Sequence, residues 1–243
     1  MQDKDERQVC FIGDQPHPGD LALTKYCLNQ CQLPDKAKIL DVGCGFGQTV
    51  RYLRDLSYQA FGMDVDMRKL DPVGNGGSGF SMANWFHIPF ANIFFDVILA
   101  ECTFSLIGCL DLHLSEIFRV LKPKGILIFH GLYSRRDDYD LWLNKIGENC
   151  SLNHIRNQEQ LLAEVENAGF TVEFWEDQSK RLNNNKGFLN NLCWSTRLFG
   201  KTNSQGSDNQ QNTDHDIFDF FLTIAKLKLG YYVAIASRYS EVN

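Results

Sequence analysis

The chain has no block of lysine or arginine, and its 24 basic residues are outnumbered by 30 acidic ones, for a net charge of −6. A protein that grips a phosphate backbone needs clustered cations, so a nucleic-acid substrate is not expected. No long uncharged apolar stretch is present, and a membrane-spanning helix is therefore not expected either. The opening residues, MQDKDERQ, lack the apolar core of a secretory signal. Their character points to the cytoplasm, where the eight cysteines would be reduced thiols rather than disulfide staples. Cys27 and Cys31 share a helical face, but no matching Cys/His pair stands at zinc spacing, so no metal site is expected. Internal repeats are absent. A hydrophobic content of 44% suffices for one ordinary core.

What is present centres on Lys38 to Gly47, KILDVGCGFG. Ile39, Leu40 and Val42 form a short apolar run that breaks at Gly43, Gly45 and Gly47, and a helix is expected from Thr49. An apolar run, a glycine-rich turn and a helix make the first βα unit of a nucleotide-binding α/β sheet. Glycines allow close approach of backbone to a ligand, and the helix N-terminus can meet a carboxylate or phosphate. The dinucleotide fingerprint requires a third glycine where this chain has Gln48. The pattern is instead Asp41-x-Gly43-x-Gly45-x-Gly47, and an acid two positions before the first glycine suits a ligand with an ammonium group. Asp64 closes the strand expected at Gln59 to Asp64, about twenty residues on, where a carboxylate can accept both ribose hydroxyls of an adenosine.

LDVGCGFG resembles the first motif of the class I S-adenosylmethionine-dependent methyltransferases, of the small-molecule, type 11-like kind. Further matches follow in order. Asn84 to Phe90 resembles the stretch that leads into the fourth strand, and Phe95 to Glu101, FDVILAE, resembles that strand. EIFRVLKPKGILIF resembles the run into the fifth. The resemblance implies an α/β, Rossmann-like fold: a seven-stranded, mostly parallel sheet with an antiparallel last strand and helices on both faces. The whole chain, 1–243, would be one domain. Residues 1–37 would form an N-terminal loop and cap helix, with His17 to Asp20 over the methionine end of the cofactor. Residues 181–229 would form an insertion between strands six and seven.

The cofactor implied is S-adenosyl-L-methionine. By resemblance its site comprises Asp41, Gly43, Cys44, Gly45 and Gly47 in the loop, with Asp64 and Val65 at the ribose and adenine. Asn84 and Trp85 would serve the adenine, and Glu101 and Cys102 would line the methyl-donor region. His130 and Tyr133, expected just beyond a fifth strand at Gly125 to His130, are the candidate catalytic residues. His130 could act as a base near neutral pH.

The remaining pattern predicts a helix from Asp20 to Cys31, a short third strand at Phe80 to Ala83 and helices at Leu112 to Leu121 and Gln158 to Ala168. Strands are expected at Phe170 to Trp175 and Tyr231 to Ser237. The region from Met67 to Leu70 is at most a short helix, broken by Asp71-Pro72 and GNGGSG. A helix around Leu141 to Ile146, another within Gly187 to Gly200, a flexible polar loop from Lys201 to Asp216 and a helix from Ile217 to Leu229 complete the expectation. The aromatic-rich insertion could cap a small-molecule pocket or make a homodimer contact.

The expected activity is methyl transfer to a small molecule. Three alternatives stand beside it. One is methylation of a metalloid such as arsenite by a cluster drawn from Cys10, Cys27, Cys31, Cys102 and Cys150. Another is non-catalytic binding of S-adenosylmethionine or S-adenosylhomocysteine. The third, a nicotinamide-dependent oxidoreductase, is disfavoured by Gln48.

Overall fold

The computed structural model describes residues 20–66, 79–139, 141, 154–184 and 226–239. The N-terminal loop, the segment around Asp71-Pro72, the helix around Trp142 to Ile146, and the helices and loop expected from Gly187 to Asp216 lie outside those residues. The helix expected from Ile217 to Leu229 is described only from residue 226, where 226 and 227 are helical and Leu229 already opens the last strand.

Chain order runs α1 (Asp20–Asn29), β1 (Lys38–Val42), α2 (Gln48–Asp55), β2 (Gln59–Asp64), β3 (Phe80–Met82), β4 (Phe95–Glu101) and a short 3₁₀ turn (Phe104–Leu106). It continues through α3 (Leu110–Val120), β5 (Leu121–Ser134), α4 (Gln158–Asn167), β6 (Phe170–Asp177), α5 (Ser179–Asn184) and β7 (Leu229–Arg238). The seven strands form one sheet in the order β3-β2-β1-β4-β5-β7-β6. β1 pairs in parallel with both β2 and β4, whereas β7 is antiparallel to β5 and β6. The chain leaves β1 toward one edge and returns to its other side at β4. That reversal opens a crevice at the carboxyl ends of β1 and β4, the ligand position in open α/β sheets.

Side chains alternate across the strands, so each strand feeds both faces. Ile39, Val97, Leu99, Ile128 and Val233 pack with Leu23 and Cys27 of α1 and Val50 and Leu53 of α2. Leu40, Ile98, Leu127, Phe129 and Ala234 pack on the other face with Leu114 and Ile117 of α3 and Leu161 and Val165 of α4. Burial on both faces explains why β1 and β4 read as near-continuous apolar runs. Among the polar exceptions, Asp41 and Glu101 both fall on the face covered by α1 and α2.

The fifth strand is longer than expected. It begins at Leu121 and passes through His130 and Tyr133 to Ser134. Its pairing with β4 ends at Glu101 opposite His130, but β7 continues the ladder to Ser134 opposite Leu229. His130 and Tyr133 therefore lie within a strand rather than beyond it. Three positions apart, they point to opposite faces.

Phe129 is fully buried, with ring centroids 5.2 Å from Phe104 and 5.8 Å from Tyr232. Phe129→Ala is expected to cost about 3–5 kcal/mol. Urea denaturation should show a lower midpoint at an unchanged m-value. A loss below about 1 kcal/mol would show that the face under α3 is not close-packed at this point.

Candidate active site

The glycine loop is fastened to the end of β2 by backbone and carboxylate together. Gly43 N and Cys44 N both donate to Met63 O, at 2.8 and 3.0 Å. Gly45 N and Asp66 N donate to the two carboxylate oxygens of Asp64, each at 2.9 Å. An ionised carboxylate has about four lone-pair sites, so Asp64 retains capacity for two further donors. Gly43 has φ +80°, and a Cβ there would lie 2.8 Å from Thr103 Cγ2. Gly45 has φ +51°, and a Cβ there would meet nothing within 4 Å. One glycine is thus demanded by packing, and the other opens backbone to free space where a ligand can approach. Cys44 between them is buried, its thiol directed at Gly45 O.

Asp41 is buried, and its Oδ1 has no hydrogen-bond partner among the described residues. Burial, then the carboxylates of Glu101 and Asp64, hold its carboxyl well above the usual range. A buried acid without a partner is costly unless something cationic approaches it. Glu101, at the tip of β4, is the hub of the neighbouring polar cluster. Its Oε1 accepts from Thr24 Oγ1 of α1 at 2.7 Å and lies 3.1 Å from His130 Nε2, and its Oε2 accepts from Thr49 Oγ1 of α2 at 2.8 Å. His130 Nδ1 lies 2.8 Å from the Tyr231 hydroxyl, which in turn lies 3.0 Å from Cys102 Sγ. Burial pushes the Cys102 thiol up to about 12 and raises the Tyr231 hydroxyl well above its ordinary value.

The other expected site residues are placed as follows. Val65 is half-buried beside Asp64. Asn84 is exposed, and its Oδ1 accepts from Phe86 N at 2.7 Å, which leaves its amide group and second lone pair for a ligand. Trp85 is buried, its ring near Gly43 and 5.6 Å from His113. Its indole Nε1 has no partner among the described residues. Tyr133 is remote from this cluster: on the opposite face, its hydroxyl donates to Asp177 Oδ2 at 3.0 Å, and its ring packs edge-on against Trp175 and Tyr232. Burial first, then Asp177, pushes it up to about 12. His130 and Tyr133 do not converge on one atom. Thr24, Thr49 and Tyr231 do join the site, and the sequence reading did not assign them to it. The only signal was a threonine on an otherwise apolar helical face.

The crevice is thus acid-lined, with a glycine cradle beside it and the Asp64 carboxylate at the end of β2. A family model described as "Methyltransferase domain" matches residues 40–129, the span from β1 into β5. Over this span the chain is similar to a methyltransferase domain. It is 38% identical over 118 residues to the uncharacterized methyltransferase YodH of Bacillus subtilis, covering 46% of this chain and 50% of that one. Over 156 residues it is 30% identical to methyltransferase GfsG of Streptomyces halstedii, covering 59% of this chain and 56% of that one. The chain spans about half the length of the curated relatives it matches. Among solved structures, the [4+2]-cyclase SpnF superposes with a TM-score of 0.63 at 23% identity, over 90% of this chain and 81% of that one. This likeness shows the fold.

In this crevice Asp41 carries a testable electrostatic cost. Its folded pKa stands above its unfolded value, about 3.9. The stability its carboxyl contributes is fully present below the unfolded pKa and is lost as pH rises through the folded one. Asp41→Asn removes that loss. The ligand-free variant should melt higher than the native protein at pH 8, with the difference shrinking toward pH 4. At this chain length a gain of about 1 kcal/mol reads as about 2–4 °C in Tm. A lower Tm for the variant at pH 8 would show that the carboxylate is compensated in the free protein.

Proposed function

We propose that the domain binds S-adenosylmethionine and transfers its methyl group to a small-molecule acceptor. The observation that carries this reading is the buried carboxylate of Asp41, whose Oδ1 has no partner among the described residues, set with Glu101 beside a glycine cradle open at Gly45. That donor set fits a ligand bearing ammonium and sulfonium charge. Asp41 and the loop from Gly43 to Gly47 would face the methionine end. Asp64 would take the ribose hydroxyls with its remaining lone pairs, Val65 and Asn84 would border the adenine, and Trp85 would support the loop from below. Glu101 and Cys102 would line the methyl-donor region. When bound, S-adenosylmethionine supplies a methyl already activated by the sulfonium charge. The protein's work is then alignment and exclusion of water. α1 supports the second task, because its Leu23, Thr24 and Cys27 are buried and Thr24 binds Glu101.

A small acceptor is supported by the net charge of −6 and the lack of a basic block. No helix among the described residues is long and apolar enough to cross a membrane. A cytoplasmic location and a homodimer through the insertion remain part of this proposal. A metalloid acceptor draws no support from the described residues, where no group of three or more His, Cys, Asp or Glu is arranged to hold a metal ion. Cys10 and Cys150 lie outside them.

Calorimetric titration with S-adenosylmethionine, S-adenosylhomocysteine and NAD tests the reading. The first two are expected to bind and NAD is not. Asp64→Ala should weaken both adenosyl ligands about tenfold or more, the scale of a charge-assisted hydrogen bond. Full affinity in that variant would remove the ribose assignment. Absence of adenosyl binding to folded protein would remove the function.

A further inference from the structure

Cofactor binding and alignment leave two groups of the Glu101 cluster without a role, the Cys102 thiol and the Tyr231 hydroxyl. Together with His130 they form one hydrogen-bonded row. Cys102 Sγ is 3.0 Å from Tyr231 OH, that oxygen is 2.8 Å from His130 Nδ1, and His130 Nε2 is 3.1 Å from Glu101 Oε1. The row has a direction. Thr24 and Thr49 donate to the two Glu101 oxygens, as an ionised carboxylate requires. Such a carboxylate only accepts, so His130 presents Nε2–H to it, and in the neutral imidazole Nδ1 is then an acceptor. The Tyr231 hydroxyl then donates to Nδ1, and its oxygen accepts from the thiol. In that tautomer the thiol and the phenol both donate toward His130.

The thiol end is held at a conformational cost. Cys102 has φ +55°, in the left-handed region where glycine sits without strain, and its backbone N donates to His130 O at 2.8 Å. Strained backbone of this kind persists where the surroundings over-determine it, often at functional sites. The residue is half-buried at the ligand-binding end of the sheet. Burial keeps both the thiol and the phenol protonated at neutral pH, so the row is loaded with its protons.

We propose that Cys102, Tyr231 and His130 form a proton relay, with Glu101 as its positioning residue, that takes a proton from the methyl acceptor. The acceptor class is accordingly a small nucleophile that still carries its proton at neutral pH, such as an alkyl thiol. This rests on the methyl-transfer reading above. As the bond from the acceptor atom to the methyl carbon forms, the acceptor's proton passes to Cys102 sulfur. The thiol's own proton passes to Tyr231 oxygen, and the phenol's own proton to His130 Nδ1. The electron pair of the broken methyl–sulfur bond stays on the departing sulfur. One positive charge leaves that sulfur and one appears on the imidazolium beside Glu101, so the net charge of the crevice does not change.

Two measurements test the relay. Side-chain ¹⁵N spectra of the ligand-free protein should show His130 as the neutral Nε2–H tautomer, with Nδ1 shifting in Tyr231→Phe. An Nδ1–H tautomer or an imidazolium in the native protein would overturn the proposal. The second measurement uses labelled S-adenosylmethionine with benzyl mercaptan, protonated at neutral pH, and thiophenol, largely ionised. Tyr231→Phe should lower methylation of benzyl mercaptan about 100-fold and leave thiophenol within about threefold. Equal losses, or none, would reduce Tyr231 to a packing residue. Methylation of neither thiol by the native protein would overturn the acceptor class. S-adenosylhomocysteine titration of both proteins separates these outcomes: no binding to the native protein defeats the cofactor reading, while the tautomer result stands on its own.

Discussion

The carboxylate of Glu101 is the point on which the crevice is assembled. Its two oxygens collect hydroxyls from α1 and α2 and an imidazole from β5, while its backbone belongs to β4. A buried carboxylate must satisfy its lone pairs, and it does so by pulling both covering helices onto the end of the sheet. The positions of α1 over the crevice and of His130 within it follow from that requirement. Removing one partner of such a buried, hydrogen-bonded charge costs several kcal/mol, on the order of 3–5 where the charge is left uncompensated.

Asp41 sets the opposite condition. It shares the acidic crevice with Glu101 but has an oxygen without a partner among the described residues. The free protein holds an electrostatic deficit there that a cationic ligand can relieve. Stability and binding are opposed at this position, as they often are where a site is pre-organised for a charge it does not itself contain. Asp64 sits between these extremes. Its oxygens already hold Gly45 and Asp66, so the same carboxylate shapes the loop and offers its remaining lone pairs to a ribose.

The fold alone does not select the chemistry. A [4+2]-cyclase shares this architecture over 90% of the chain, and function resides in the side chains placed at the strand ends. Here those side chains are split between the two faces of β5. His130 looks into the acidic crevice under α1. Tyr133 looks away, bound to Asp177 and packed against Trp175. Only the first face has both the glycine cradle and a row of exchangeable protons.

Much of this was legible from residue order. The apolar run into Gly43, the acid at Asp64 and the run Phe95 to Glu101 depend on local rules: strand period, glycine at positive φ, and an acid at a strand tip. The observed β2 and β4 match the expected bounds residue for residue. The extension of β5 to Ser134 was not legible, because its cause lies about a hundred residues away in β7. Nor was the joining of Thr24, Thr49, His130 and Tyr231 around Glu101 and Cys102. Those four are scattered over α1, α2, β5 and β7, and only the closing of the sheet brings them within hydrogen-bond distance. Sequence by itself determined the fold class and the ligand-binding edge, since both rest on short-range pattern. Tertiary structure alone decided which side chains share that edge, since non-local strand pairing sets the face to which each one points.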